Sequence, residues 1–296
     1  RVVIGYVDAA RVGPDSHPAH FAHCLESVLR FQIFNRVWWN NDADVSYLDV
    51  KLPSRRVGQT PEGVDMWRTW HNTVALTGGT AMISEPVNKP DAQAVWRNYE
   101  IMRPASRENS RLLTLGQSDK NSIFGFSADR TWGDFAVYNL YNSDQNKSVD
   151  LTLDFADAGL PTGTRCAVYN FWENKVVGYA TDSFTGKNIP NNGSLLLRFT
   201  PLTGDFPQLV GSNLHLSIGA TEIEEIYTTS KSIKIMLSSA GAQTGDLIFY
   251  SSKPLEAGVS ENCSISSVQG LGDNLWKVSL KGRIWNTNQS IVLINK

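Results

Sequence analysis

The chain has 296 residues, a formal net charge of −2 and a pI near 6.2, which leaves no basic stripe for a nucleic acid and allows a sizeable core in two or three domains. No apolar run reaches the roughly 18–20 residues that a membrane helix requires, so neither nucleic acid nor membrane is an expected partner. Cys24, Cys166 and Cys263 lie far apart without a CxxC pair, which argues against zinc ribbons and redox motifs.

Arg1 runs at once into VVIGYVDA (2–9), which reads as a buried strand, so no signal peptide is visible and the chain is expected to be a fragment. RVGPDSHP (11–18) is a polar loop. AHFAHCLESVLRFQIF (19–34) carries Phe21, Leu25, Val28, Leu29 and Ile33 close to a helical period. RVWWNND (36–42) reads as the next strand, followed by a long loop to Gln59. Thr60 is placed to cap a helix that has Pro61 at its first position, runs to about Leu76 and stops at Gly78-Gly79. TAMISEP (80–86) is a third strand, and Asp91 opens a third helix that ends near Met102.

Strand and helix repeated three times, with strands apolar enough to be covered on both faces, imply a parallel sheet. Polar groups gather after each strand: Arg11 and Asp15, then Asp42 and Asp44, then Ser84 and Glu85. An α/β barrel places its chemistry there. Three units cannot close eight strands, so either the sheet is small and open or five units belong upstream.

After about residue 112 the pattern changes. SIFGFSA, DFAVYNLYN, SVDLTLDF, TRCAVYNFW, KVVGYAT, SLLLRFT and NLHLSIG are short alternating strands with Gly, Asn, Asp and Pro between them, as in an antiparallel sandwich. Beyond an acidic join at Glu222–Glu225 come SIKIMLSS, DLIFYSS, CSISSVQ, LWKVSLK and SIVLINK. The expected division is 1–108, 109–225 and 226–296, the last a second small β module or an extension of the sandwich. Sequons at Asn146, Asn192, Asn262 and Asn288 permit a secreted or extracytoplasmic address.

Two stretches could carry chemistry. In Arg11-Val-Gly-Pro-Asp15 a tight turn holds a cation and a carboxylate at one strand mouth, where Asp15 could protonate a glycosidic oxygen and Arg11 bind a sugar hydroxyl. The same pair would also serve as a loop salt bridge. In Trp38-Trp39-Asn40-Asn41-Asp42-Ala43-Asp44 two indoles run into a polar cluster that would line a sugar pocket or form an Asx-rich turn.

GYVDAARVGPDS, VWWNNDADV and MWRTWHNTVALTGGTAMISEP together resemble the sixth to eighth βα units of glycoside hydrolase clan D, the melibiase-type α-galactosidases of families 27 and 36. DFAVYNLYN and GSNLHLSIGATEIEEI resemble the clan's C-terminal β domain, so the likeness covers about residues 1–225. The resemblance implies the last three βα units of a (βα)₈ barrel followed by β-sandwich modules. It implies a retaining glycosidase acting on α-galactosides, with Asp15 as acid/base, Arg11 as sugar-binding arginine, and Asp42, Asp44 and Trp39 about the substrate. Ala43 stands where the clan's Asn-Asp-Pro-Asp element has proline. The clan's nucleophile lies in a Lys-x-Asp element on an earlier strand, with no counterpart after Arg1. The fragment alone is therefore expected to be inactive, or to pair with the N-terminal part of the barrel as a separate chain. An oligosaccharide or glycoconjugate is the expected substrate, and the chemistry requires no metal or organic cofactor.

Asp8, at the end of the first expected strand, is a rival acid outside the motif. His17, His20 and His23 straddle a loop and a helix start without a zinc-site motif, and His71 sits among apolar residues. Other classes remain open: a non-catalytic carbohydrate-binding fragment, or a glycosyl-transferring relative similar to raffinose synthases.

Overall fold

The computed structural model describes residues 7–16, 18–48, 61–83, 88, 95–115, 121–144, 146–204 and 207–296, and the chain is mostly β with few helices. It divides into two compact units: residues 1–126, 138–153 and 185–195 form the first, and 127–137, 154–184 and 196–296 the second.

The first unit begins with a parallel sheet of β1 (Ala9–Arg11), β2 (Asn40–Ser46) and β3 (Thr80–Ile83), in that order. Between the strands run α1 (Phe21–Phe31) and α2 (Pro61–Thr77), and α3 (Trp96–Glu100) follows β3. The α1 period buries Phe21, Cys24, Leu25, Val28 and Leu29. Ile33, expected on that stripe, is 59% exposed, because Gln32–Phe34 tighten into a 3-10 turn that swings it outward. Along α2 the polar Thr69, His71, Asn72 and Thr73 are as buried as Trp70 and Val74. Thr69 donates to the Asn192 carbonyl at 3.0 Å and Asn72 to Asn139 Oδ1 at 2.9 Å, while Thr73 and His71 bond back to the Thr69 and Trp67 carbonyls of their own helix. The 1–108 segment thus shares one compact unit with later strand residues.

β2 starts four residues later than RVWWNND suggests. Arg36 is left-handed (φ 62°), its N–H bonds the Trp39 carbonyl at 2.7 Å, and Trp38 stacks on Phe34 with centroids 4.1 Å apart, so 36–39 is a turn. The Arg36 guanidinium then reaches the carbonyls of Gly78 (2.8 Å), Arg107 (3.1 Å) and Ser106. Gly78 ends α2 with φ +69°, and a Cβ there would strike that guanidinium.

The remaining strands are β4 (Arg111–Leu112), β5 (Ser122–Ala128), β6 (Phe135–Tyr141), β7 (Val149–Asp154), β8 (Cys166–Asn170), β9 (Lys175–Ala180), β10 (Ser183–Ile189) and β11 (Ser194–Pro201). Then come β12 (Gln208–Ser212), β13 (Ile223–Thr228), β14 (Ser232–Leu237), β15 (Gly245–Tyr250), β16 (Leu255–Glu261), β17 (Ser264–Gly272), β18 (Leu275–Lys281) and β19 (Gln289–Asn295). In the second unit β8 pairs antiparallel with β9 and β11. Two four-stranded sheets, β12-β15-β18-β17 and β13-β14-β19-β16, share one apolar core in which Leu209, Phe249 and Val278 meet Ile226, Ile235 and Leu293. The expected 225/226 boundary falls inside β13. NLHLSIG is not a strand: residues 213–222 are turns, with Ile218 at φ +47° and Gly219 at φ +105°, and β12 lies just before them.

No helix among the described residues is long and apolar enough to cross a membrane. Ser84, Glu85, His17 and the first half of the expected third helix lie outside the described residues.

Candidate functional site

β1 and β2 run parallel with Arg11, the last residue of β1, opposite Asp42, so Asp42 and Asp44, expected just after a strand, lie within β2 (Asn40–Ser46) beside the end of β1. There Arg11 holds three carboxylates. Its Nη2 donates to Asp44 Oδ1 at 2.5 Å, its Nη1 lies 3.3 Å from Asp15 Oδ1, and its Nε lies 3.5 Å from Asp42 Oδ2. One guanidinium among three carboxylates leaves the cluster anionic.

The three carboxylates differ in exposure, which separates what each can do. The Asp44 side chain is 11% exposed, that of Asp42 22% and that of Asp15 93%. Burial pushes the Asp44 carboxyl up, but hydrogen bonds from Ser16 and Val45 and the charge of Arg11 outweigh it and hold the group below the usual carboxylate range. Asp44 is therefore a permanent anion at neutral pH, fastened to the Ser16 N–H at 2.7 Å. Asp42 accepts the Asp44 N–H at 2.8 Å, and its carbonyl accepts Val12 N–H at 3.1 Å, so it shapes the same corner. Asp15 is the carboxylate most open to solvent.

The loop that presents Asp15 is pinned on both sides of it. The Cys24 thiol donates to the Pro14 carbonyl at 3.2 Å, and Ser16 is held by Asp44 and by the Val45 carbonyl at 3.2 Å. Burial, with the charge of Asp44 adding to it, pushes the Cys24 thiol up to about 11, so it acts as a neutral peg. Asp44 itself sits at φ +83°, where β2 carries one extra residue against β3: Asp42 pairs with Thr80 and Val45 with Met82. A bulge of this kind re-aims side chains. Here it turns the Asp44 carboxylate onto Arg11 and Ser16.

Arg11, Asp15, Asp42 and Asp44 are thus brought together, and two other candidates are not. Trp39 lies just before β2, and its indole N–H is spent on Asn41 Oδ1 at 3.0 Å rather than on the carboxylates. Asp8 precedes β1, so it stands at the start of that strand rather than its end, and its carbonyl accepts the Asn40 N–H at 2.8 Å. Ser16 was not singled out by sequence, and nothing in GPDSHP signals that its N–H would meet a carboxylate 28 residues away. His71 is buried in α2 with Nδ1–H donated to the Trp67 carbonyl at 2.8 Å, and burial pulls its pKa down to about 4.

No family model matches the chain, and no curated protein sequence matches it. Among solved structures it is similar to a GH27 β-L-arabinopyranosidase from Geobacillus stearothermophilus, at 12% identity and TM-score 0.50, over 67% of this chain and 46% of that one. It is also similar to α-galactosidase I from Mortierella vinacea, at 14% identity and TM-score 0.47, over 67% of this chain and 54% of that one. An isomalto-dextranase from Arthrobacter globiformis T6, complexed with panose, aligns over 98% of this chain and 56% of its own at 13% identity and TM-score 0.44. The chain spans about half the length of these structures. Over two thirds of its residues the chain shares the fold of part of the GH27 arabinopyranosidase.

Proposed function

We propose that this chain carries the acid/base portion of a retaining glycoside hydrolase acting on terminal α-galactosyl residues. In this reading β1–α1, β2–α2 and β3–α3 are the sixth to eighth βα units of a (βα)₈ barrel, and the strands after them form its β-sandwich modules. One observation carries the proposal: Arg11 gathers a buried anion and an exposed carboxylate at the C-terminal end of β1, where the loop to α1 begins.

Asp15 protonates the leaving oxygen as the glycosidic bond breaks, then takes a proton from the water that releases the glycosyl intermediate. Arg11, oriented by Asp44, donates to a sugar hydroxyl, and Asp42 closes the corner behind it. The second carboxyl of a retaining pair belongs about 5–5.5 Å from the first and comes, in this proposal, from sequence outside this chain. The similarity to an arabinopyranosidase favours a second substrate reading, because β-L-arabinopyranose presents the ring hydroxyls of α-D-galactose without the hydroxymethyl group.

The test is hydrolysis of 4-nitrophenyl α-D-galactopyranoside and β-L-arabinopyranoside by the protein with its complete barrel. Asp15→Asn is expected to lower kcat roughly 10²–10⁴-fold, with less loss for a 2,4-dinitrophenyl leaving group that needs no protonation. Full activity in that variant with the poorer leaving group removes Asp15 from the reaction. The proposal also places the protein outside the cytoplasm, where the exposed Asn146, Asn262 and Asn288 are candidate glycan acceptors and the buried Asn192 is not.

A further inference from the structure

The Asp15 carboxylate is almost fully exposed, so no packing around its side chain fixes where it stands. Its place is set by the backbone on either side, and that backbone is anchored to β2 and α1. Val12 N–H bonds the Asp42 carbonyl at 3.1 Å, and the Cys24 thiol bonds the Pro14 carbonyl at 3.2 Å. Ser16, the residue after the acid, gives its N–H to Asp44 Oδ2 at 2.7 Å and its hydroxyl to the Val45 carbonyl at 3.2 Å. At Gly13 a Cβ would lie 3.4 Å from both the Cys24 carbonyl and Ser27 Cβ, so the loop rests directly on α1.

Ser16 differs from the other anchors in what it is tied to. Asp44 takes Arg11 Nη2 on Oδ1 at 2.5 Å and the Ser16 N–H on Oδ2, so one carboxylate sets how far Arg11 stands from the neighbour of the acid. A single N–H bond is a pivot. The hydroxyl bond to the next residue of β2 supplies a second point that stops rotation about it. Orientation matters because a general acid works over a heavy-atom distance of about 2.6–3.2 Å, and a displacement of roughly 1 Å costs up to about 10²-fold in rate. The Val45 carbonyl also accepts the Trp70 indole N–H at 3.1 Å. It therefore keeps a partner when the Ser16 hydroxyl is removed, and the loss falls on the loop rather than on the core.

On the reading of Asp15 as acid/base, which this inference requires, we propose that Ser16, through its hydroxyl, is the positioning residue that aims Asp15 at the leaving oxygen. A misaimed acid slows only the bonds that need protonation, whereas damage to Arg11 or Asp44 weakens every substrate alike. The test is kcat/KM for phenyl and 2,4-dinitrophenyl glycosides of the sugar that the protein with its complete barrel cleaves. Ser16→Ala should lower the phenyl value roughly tenfold and the dinitrophenyl value less than about twofold. Ser16→Thr, which keeps the hydroxyl, should recover most of that loss, and Asp15→Asn should show the same pattern on a larger scale. In the full chain, amide hydrogen exchange at Asp15 and Ser16 should quicken roughly fivefold or more in Ser16→Ala while the unfolding midpoint hardly moves. Equal losses on both glycosides, a full phenyl rate in Ser16→Ala, or unchanged exchange overturns the positioning role, and the glycosidase reading survives as long as Asp15→Asn keeps its pattern. No hydrolysis by the parent, or a full phenyl rate in Asp15→Asn, removes that reading and this proposal with it. If Ser16→Ala does not fold, Ser16→Thr against Ser16→Val decides, because the two differ by a hydroxyl against a methyl: equal phenyl values refute the role of Ser16.

Discussion

Arginine is used in opposite ways in the two units. Arg11 sits at a strand end, 35% exposed, among three carboxylates that carry more negative charge than it cancels. Arg198 is fully buried and spends its donors on neutral oxygens: the carbonyls of Ile218 (2.6 Å) and Leu209 (2.8 Å) and the Thr200 hydroxyl (2.9 Å). Its plane lies over the Phe135 ring at 3.8 Å, and Gly219, at φ +105°, leaves out a Cβ that would collide with it. Arg283, 2% exposed, repeats the scheme with the carbonyls of Ala242, Ser238 and Ala240 and with Gln289 Oε1. Guanidinium bonded to buried oxygens is a cross-link, because each of its three nitrogens donates to a fixed protein acceptor. Carboxylate-held guanidinium at the surface keeps an open side. Burial draws the Arg198 pKa down to about 9, which still leaves it charged at neutral pH.

The contrast predicts large losses of folding energy in the second unit and losses of function in the first. Arg198→Met should cost about 3–5 kcal/mol in denaturant unfolding, since it strands two buried carbonyls and the Thr200 hydroxyl at once; a loss under about 1 kcal/mol would show that the cross-link is dispensable. His71 provides a comparable effect in the first unit through pH. Its folded pKa near 4 lies below the ordinary 6.5, so as pH falls the unfolded chain takes up the proton first. Stability is then full above pH 6.5 and declines toward pH 4, by about 3 kcal/mol at 1.36 kcal/mol per unit. Unfolding midpoints at pH 7.5 and 4.5 should converge in His71→Gln, and an unchanged pH slope in that variant would assign the decline to other groups. Arg283→Lys should cost about 1–3 kcal/mol, because an ammonium offers three donors to four fixed acceptors. Arg11→Lys should move stability by less than about 1 kcal/mol, since its ion pairs are partly solvated, yet raise KM for the proposed glycoside roughly tenfold or more. Equal losses of stability in Arg11→Lys and Arg283→Lys would erase the distinction between the two uses.

Much of this fold was legible in the residues, and the failures have local causes. The α1 stripe, the α2 start at Pro61, β5 and β18 follow from period and turn chemistry. β13 was hidden because Glu224 and Glu225 stand side by side and read as an acidic join; the register slips between Ile223 and Glu225, so Ile223 and Ile226 still both face the core. NLHLSIG misled in the reverse sense, its apolar alternation serving turns in which Leu214, Leu216 and Ile218 are all buried. β10 (SFTGKNI) is too polar to stand out. At the site, the strand-end rule and the clan resemblance pointed to Arg11, Asp15, Asp42 and Asp44. The same cues drew in Trp39, because β2 was expected to start at Arg36 and the Arg36 turn was not foreseen. Ser16 carried no cue at all, since RVGPDSHP describes a polar loop without saying which hydroxyl reaches β2.

Asp44 has a left-handed backbone as well as a buried charge, and the two requirements are met by different parts of the residue. Asparagine satisfies the backbone without the charge, and glycine satisfies it with no side chain, whereas alanine or glutamate strains it. A lineage could therefore discard the proposed reaction by one substitution at this position and keep its fold. Conversely, a related chain with Asn or Gly here and an intact second unit would be expected among proteins that hold sugars without cleaving them.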